Sequence, residues 1–123
     1  MSGFVDYLPE VFAEFGTIAL RRMFGGHGVY HQGLMFGLVA DDVLYLKADA
    51  DSVHHFEQAG LPSFEYVTDD RTVRMSYYRA PDDIFDDREL AAQWARRAFD
   101  AALRAQARKP AAKKGAPARK GRK

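Results

Sequence analysis

Cysteine is absent from this chain of 123 residues, and its absence removes several chemistries at once. Without a thiolate there is no cysteine nucleophile, no iron–sulfur ligation, no Cys-type zinc site and no disulfide. Such a composition suits a reducing compartment, and a cytoplasmic location is the expectation. Long apolar runs are missing as well. The longest, Leu34 to Ala40, is far short of the ~20 residues that a membrane helix needs. The opening stretch MSGFVDYLPE has early acids and no basic segment, unlike a secretory leader. Neither GxGxxG nor a GK[ST] ending occurs, so no phosphate-cradling loop is signalled. The glycine-rich Gly25-Gly26-His27-Gly28 runs into Val29-Tyr30-His31, which reads as strand, so a hairpin turn accounts for it.

What is present is 47% hydrophobic and 28% charged residues, enough for one compact domain with a core of its own. The formal net charge of +1 conceals a split. Residues 1–103 carry nine Lys/Arg and all 17 acids, a net −8, while Arg104 to Lys123 carry nine Lys/Arg and no acid. After Leu103 no large apolar residue occurs, and Pro110, Gly115, Pro117 and Gly121 interrupt the sequence. The reading is a domain at 1–106 and a disordered basic tail at 107–123. Within that tail Arg108, Lys109, Lys113 and Lys114, together with Arg119, Lys120, Arg122 and Lys123, are candidate phosphate contacts that act collectively.

Hydrophobic spacing predicts the elements. Phe4, Leu8, Val11, Phe12 and Phe15 share one helical face, with Ser2 as cap, Gly16 as terminator and a discordant Pro9. Four strands follow at 17–24, 28–31, 34–40 and 43–48, with turns at Gly25-Gly26-His27, Gln32-Gly33 and Asp41-Asp42. A short helix capped by Asp51 or Ser52 ends near Ala59. A second hairpin spans 64–68 and 72–78, and a long helix capped by Asp86 or Asp87 closes the domain, Asp86 and Glu89 resembling a capping box. The order is α-β-β-β-β-α-β-β-α. Blocks of strands joined by short turns indicate an α+β fold, an antiparallel sheet with helices packed on one face.

The run RRMFGGHGVYHQGLMFGLVADDVLYLKAD at 21–49, with FEY at 64–66, RMSYYRAPDDIFDD at 74–87 and the closing Trp94-Ala95-Arg96-Arg97-Ala98, resembles the N-terminal domain of the TfoX/Sxy family. Its most specific part is the motif Arg21, Arg22, Met23, Phe24, Gly25 and Gly26. The resemblance implies a non-enzymatic α+β domain with no cofactor and no catalytic residues to carry over. It also implies kinship with regulators of natural-competence genes that act with the cyclic-AMP receptor protein. Those longer regulators carry a second, helical C-terminal domain, where this chain has the basic tail.

Other constellations are weaker. Arg21 and Arg22 point to opposite faces of a strand, so one is expected to need a partner such as Asp6, Glu10 or Glu14, leaving the other to contact an anion. His27 and His31 lie ~13 Å apart on a strand, too far for one zinc ion, and with His54 and His55 they read as surface and turn residues. DDIFDD at 82–87 contains DDxxD, but acids at a helix start are expected from the dipole alone. The rings of Tyr30, Tyr45, Phe64, Tyr66, Tyr77 and Tyr78 read as cross-strand core packing. Stacking on bases beside Lys47, Arg74 and Arg79 would require an uncovered second sheet face, and a net −8 body speaks against a polyanion. The expected function is a regulatory adaptor acting through a protein partner such as a transcription regulator, with loose nucleic-acid affinity in the tail and no membrane association. The alternatives are a nucleic-acid module using the sheet face and, last, a small-molecule enzyme.

Overall fold

A computed structural model of the chain describes residues 3–23, 25–67 and 72–108, with side chains at 66, 67 and 72–75 excluded. The elements are α1 (Phe4–Val11), β1 (Ala19–Met23), β2 (Gly26–His31), β3 (Leu34–Ala40), β4 (Val43–Lys47), α2 (Val53–Gln58), β5 (Ser63–Val67), β6 (Thr72–Arg79) and α3 (Arg88–Arg108), with a 3-10 turn at Asp82–Phe85 before α3. The six strands form one antiparallel sheet in the order β1-β2-β3-β4-β6-β5. This is the expected α+β arrangement in the expected order.

Local chemistry accounts for most boundaries. Gln32 and Gly33 have φ of 52° and 81°, and Asp41 and Asp42 have 52° and 60°. Positive φ at both central positions matches the right-handed twist of a two-residue hairpin, and Asp tolerates it through its short polar side chain. Helix α1 stops at Val11, earlier than its apolar spacing suggests; Pro9 lies inside it and has no N–H to donate to the carbonyl four residues back. The chain then turns through Phe15, where the Phe15 and Gly16 N–H groups both donate to the Phe12 carbonyl at 3.0 Å. The proposed cap, Ser2, lies outside the described residues, and Gly3 occupies the cap position. At the other end Asp87 caps α3, its Oδ1 accepting the Leu90 N–H at 3.0 Å. Asp86 precedes the cap, so Asp86 and Glu89 do not form the anticipated box.

One continuous core lies between the helices and one face of the sheet. Leu8, Val11 and Phe12 of the N-terminal segment, Phe56 of α2 and Ala91, Ala95 and Ala98 of α3 meet Val29, Phe36, Val39, Leu44 and Leu46 of the strands. Phe12 meets Phe36 edge-on with centroids 5.8 Å apart, and Phe56 meets Trp94 similarly at 5.0 Å. Each fully buried phenylalanine of this set contributes roughly 1.5–3 kcal/mol. On α3 most of the buried residues are alanines, whose small size lets the helix lie close against β3 and β4, while Phe99 meets Phe36 of β3 edge-on at 6.3 Å.

Register decides what the opposite face carries. A bulge in the β2–β3 ladder, where Val29 pairs with Gly37 and Tyr30 with Met35, leaves Phe36 unpaired. Both Phe36 and Val39 consequently reach the core, despite their odd spacing, while Met35 and Leu38 turn to the far side. Leu38 and Tyr77 are buried yet stand outside the core cluster, as expected of residues on that second face.

Candidate interaction surface

The second sheet face has no described helix packed over it. Its middle row runs strand to strand as Arg21, Gly28, Leu38, Tyr45 and Arg79, each the register partner of the next. Beside it, Tyr30 pairs with Met35 and Lys47 with Tyr77. The Arg21 guanidinium lies 5.1 Å from the Tyr30 ring centroid and the Lys47 ammonium 5.3 Å from that of Tyr77. Lys47 also donates to Ser76 Oγ at 2.7 Å, and Tyr45 packs on Phe64 with centroids 4.8 Å apart. Burial, with a smaller contribution from Tyr30, pushes the Tyr77 phenol up to about 12.

Two expectations change here. The aromatic residues are not chiefly core: Tyr30, Tyr45, Phe64 and Tyr77 lie on the uncovered face, whereas Tyr78 packs on Phe56 beneath the helices at 5.3 Å. The side chain of Tyr66 lies outside those described. The body's negative charge is also not spread evenly. Of the six charged residues on the strands five are basic, Glu65 being the exception, so the other acids among the described residues sit in helices, turns and loops. A net charge summed over both sides concealed this.

The motif residues take separate places. Arg21 and Arg22 are both exposed, and among the described residues neither forms an ion pair, contrary to the expected bridge to Asp6, Glu10 or Glu14. The reason is position. β1 is an edge strand, so both side chains reach water past the sheet, and Glu10 pairs instead with Arg88 at 3.5 Å. Met23 lies over Gly28, where an added Cβ would meet its Sδ at 2.8 Å. Phe24 lies outside the described residues. Gly25 has φ 79°, and a Cβ on Gly26 would fall on the Val39 carbonyl oxygen, so both glycines serve the hairpin.

Of the tail candidates, Arg108 is exposed in the last turn of α3, two residues past the expected boundary at 106. Lys109, Lys113, Lys114, Arg119, Lys120, Arg122 and Lys123 lie outside the described residues. The histidines are dispersed. His31, read as a surface residue, sits with its ring between Phe15 and Phe99, at 4.5 and 4.8 Å, and its Nδ1 is 2.8 Å from the Thr17 carbonyl. His54 and His55 stack on each other at 4.0 Å on α2. Burial first, then Arg97 and His54, lower the His55 pKa. Among the described residues no group of three His, Asp or Glu side chains is arranged to hold a metal.

The architecture thus defines a two-layer α+β domain, with helices over one face of the sheet and an uncovered second face that carries aromatic and basic residues. The chain belongs to the TfoX N-terminal domain family, which it matches over residues 10–102. It is 31% identical over 78 residues to the DNA transformation protein TfoX1 of Aliivibrio fischeri (strain ATCC 700601 / ES114), covering 60% of this chain and 37% of that protein. It is 27% identical over 95 residues to Protein Sxy of Escherichia coli (strain K12), covering 77% of this chain and 46% of that one. The chain therefore spans less than half the length of either relative. No helix among the described residues is long and apolar enough to cross a membrane.

Proposed function

We propose that the chain is a non-enzymatic regulatory adaptor of the DNA-transformation kind, working in the cytoplasm through a protein partner such as a transcription regulator and holding nucleic acid loosely by its basic tail. The family match over residues 10–102, with a relative named as a DNA transformation protein, carries this reading. The surface supports it by its division of charge. Asp82, Asp83 and Asp86 are exposed around the turn before α3, Asp82 within 3.7 Å of Arg79, and a basic protein surface can meet them there, while 109–123 carries seven Lys/Arg and no acid.

Duplex DNA binding of the full chain is measured across a salt series, alongside a full-length form in which the seven tail cations from Lys109 to Lys123 are replaced by glutamine. The tail reading expects a log–log slope of roughly −5 to −8 that collapses on neutralisation. Equal binding by both forms removes the tail from the function. Transcript levels of DNA-uptake genes are compared between cells with and without the chain. Unchanged levels overturn the regulatory reading.

A further inference from the structure

We propose that the uncovered sheet face is a binding surface for single-stranded nucleic acid, with bases stacking on Tyr45, Phe64 and Tyr30 and phosphates meeting Arg21, Lys47 and Arg79. The inference is independent of the tail and goes beyond the adaptor reading, because it gives the folded domain a ligand of its own.

Three observations converge on it. First, the middle row begins at Arg21 and ends at Arg79 with Leu38 and Tyr45 between them. Four strand spacings make that row ~19 Å long, a platform comparable in kind to sheets that stack two or three bases. Second, Tyr30, Tyr45 and Phe64 are only half-buried, although they rest on a floor of Leu38 and Tyr77, which are 9% and 8% exposed. An open groove of about 440 Å³ beside Tyr30, bounded by Ile18, Arg21 and Gln32, extends the platform to the β1 edge. Third, the face carries the cations Arg21, Lys47 and Arg79, which are complementary to phosphate, Arg79 being shared with Asp82 at 3.7 Å.

The same charges argue against the other occupants. A second copy docked face to face would set Arg21, Lys47 and Arg79 against their own equivalents, a like-charge contact that is unfavourable. The chain's own tail is itself cationic and is repelled for the same reason. A duplex hides its bases and offers the rings nothing to stack on, so a single strand is the ligand that uses both rings and cations.

The test uses the full-length chain with its tail cations neutralised, so that the tail cannot answer for the face. A fluorescein-labelled ten-nucleotide oligothymidine and a duplex of equal length are titrated by anisotropy. The expected result is binding of the single strand in preference to the duplex, with a shallow salt slope of about −2 for three phosphate contacts. Replacing Tyr45 and Phe64 together by leucine, which keeps apolar volume but removes the rings, should weaken single-strand binding at least tenfold with the slope unchanged. Arg21→Gln with Arg79→Gln should weaken it and flatten the slope. These two exposed positions leave the core untouched, so they decide the matter if the leucine variant fails to fold. Photocrosslinking of an iodouracil strand to the unaltered chain should map to β2, β4 or β5. No single-strand binding, equal binding of duplex, or crosslinks confined to 109–123 would overturn the proposal. So would sheet-face variants that change only the oligomeric state, which would assign the face to a second copy. Absence of single-strand binding by the tail-neutralised chain, with tail-dependent duplex binding of the unaltered chain intact, sinks the sheet-face reading alone.

Discussion

The Arg104 guanidinium grips the Asp49 carboxylate with two hydrogen bonds, Nε to Oδ2 at 2.6 Å and Nη2 to Oδ1 at 3.0 Å. Asp51 adds a second carboxylate 3.4 Å from Nε. By composition Arg104 is the first cation of the basic stretch, yet in the fold it fastens the C-terminal part of α3 to the β4–α2 connection. Asp49 Oδ1 also accepts the backbone N–H groups of Asp51 and Ser52, both at 3.1 Å, so one carboxylate organises both the loop and the helix.

That pairing predicts acid sensitivity. Chiefly through the hydrogen bond from Arg104, the Asp49 pKa is lowered from 3.8 to about 2. Because the folded state holds the ionised form more tightly than the unfolded chain does, this contribution is complete above pH ~4 and disappears as pH falls towards 2. Solvent around the part-exposed Arg104 screens the pair and holds its size to roughly 1 kcal/mol. Urea melts from pH 7 to pH 2 should show a stability loss in that window that Asp49→Asn largely removes. An unchanged acid limb in Asp49→Asn would show that the bridge contributes little.

The three glycines of the first hairpin should rank by what a Cβ would strike. At Gly26 it meets the Val39 backbone carbonyl, which cannot move without breaking the β2–β3 ladder. Gly26→Ala should therefore destabilise by about 3 kcal/mol or leave the chain unfolded. At Gly25 the space is open but φ is 79°, and alanine there costs about 1–2 kcal/mol. At Gly28 the nearest atoms are Met23 Sδ, Tyr30 Cε1 and Met35 Sδ, two flexible thioethers and one ring edge, side-chain atoms that can give where a backbone carbonyl cannot. Gly28→Ala should cost less than ~1 kcal/mol. Chemical denaturation of the three variants checks the order.

Much of this organisation is legible in the residues themselves. Gln32-Gly33 and Asp41-Asp42 announce their turns because few dipeptides accept two positive φ angles, and the apolar run Leu34–Ala40 coincides with β3. The uncovered face is not legible in the same way. A strand buried on one side by helices and on the other by its own neighbouring rings reads as continuously apolar. The bulge at Phe36 also reverses the alternation that would tell the sides apart. Charge misleads for a related reason, since a sum over the chain cannot record that the acids avoid the strands. His31 offers no signal at all. Its place between Phe15 and Phe99 depends on how α1 ends and where α3 crosses the sheet.

The closeness of α3 to the sheet gives a packing prediction. Ala91, Ala95 and Ala98 are fully buried and recur at spacings of four and three along the helix, all on its inward side. Ala95→Leu should overpack this contact and destabilise by about 1–3 kcal/mol. The urea midpoint should fall with its slope unchanged, because the same surface is exposed on unfolding. A neutral result would mean that α3 stands further from the strands than its alanines indicate.

Tyr77 supplies an alkaline counterpart that reports on the uncovered face directly. Its phenol is 8% exposed by residue and its pKa is pushed up to about 12, mainly by burial. The proton leaves the unfolded chain near pH 10 but stays on the folded one, so stability is complete below ~10 and falls between ~10 and ~12. Titration by tyrosinate absorbance should show one tyrosine ionising late, and Tyr77→Phe should remove that late phase alone. A single strand laid over the face would bring phosphate charge near the same phenol and disfavour its ionisation further. Saturating oligodeoxyadenosine, whose bases do not ionise between pH 10 and 12, should therefore shift the late phase upward, whereas a ligand confined to the tail should leave it where it was.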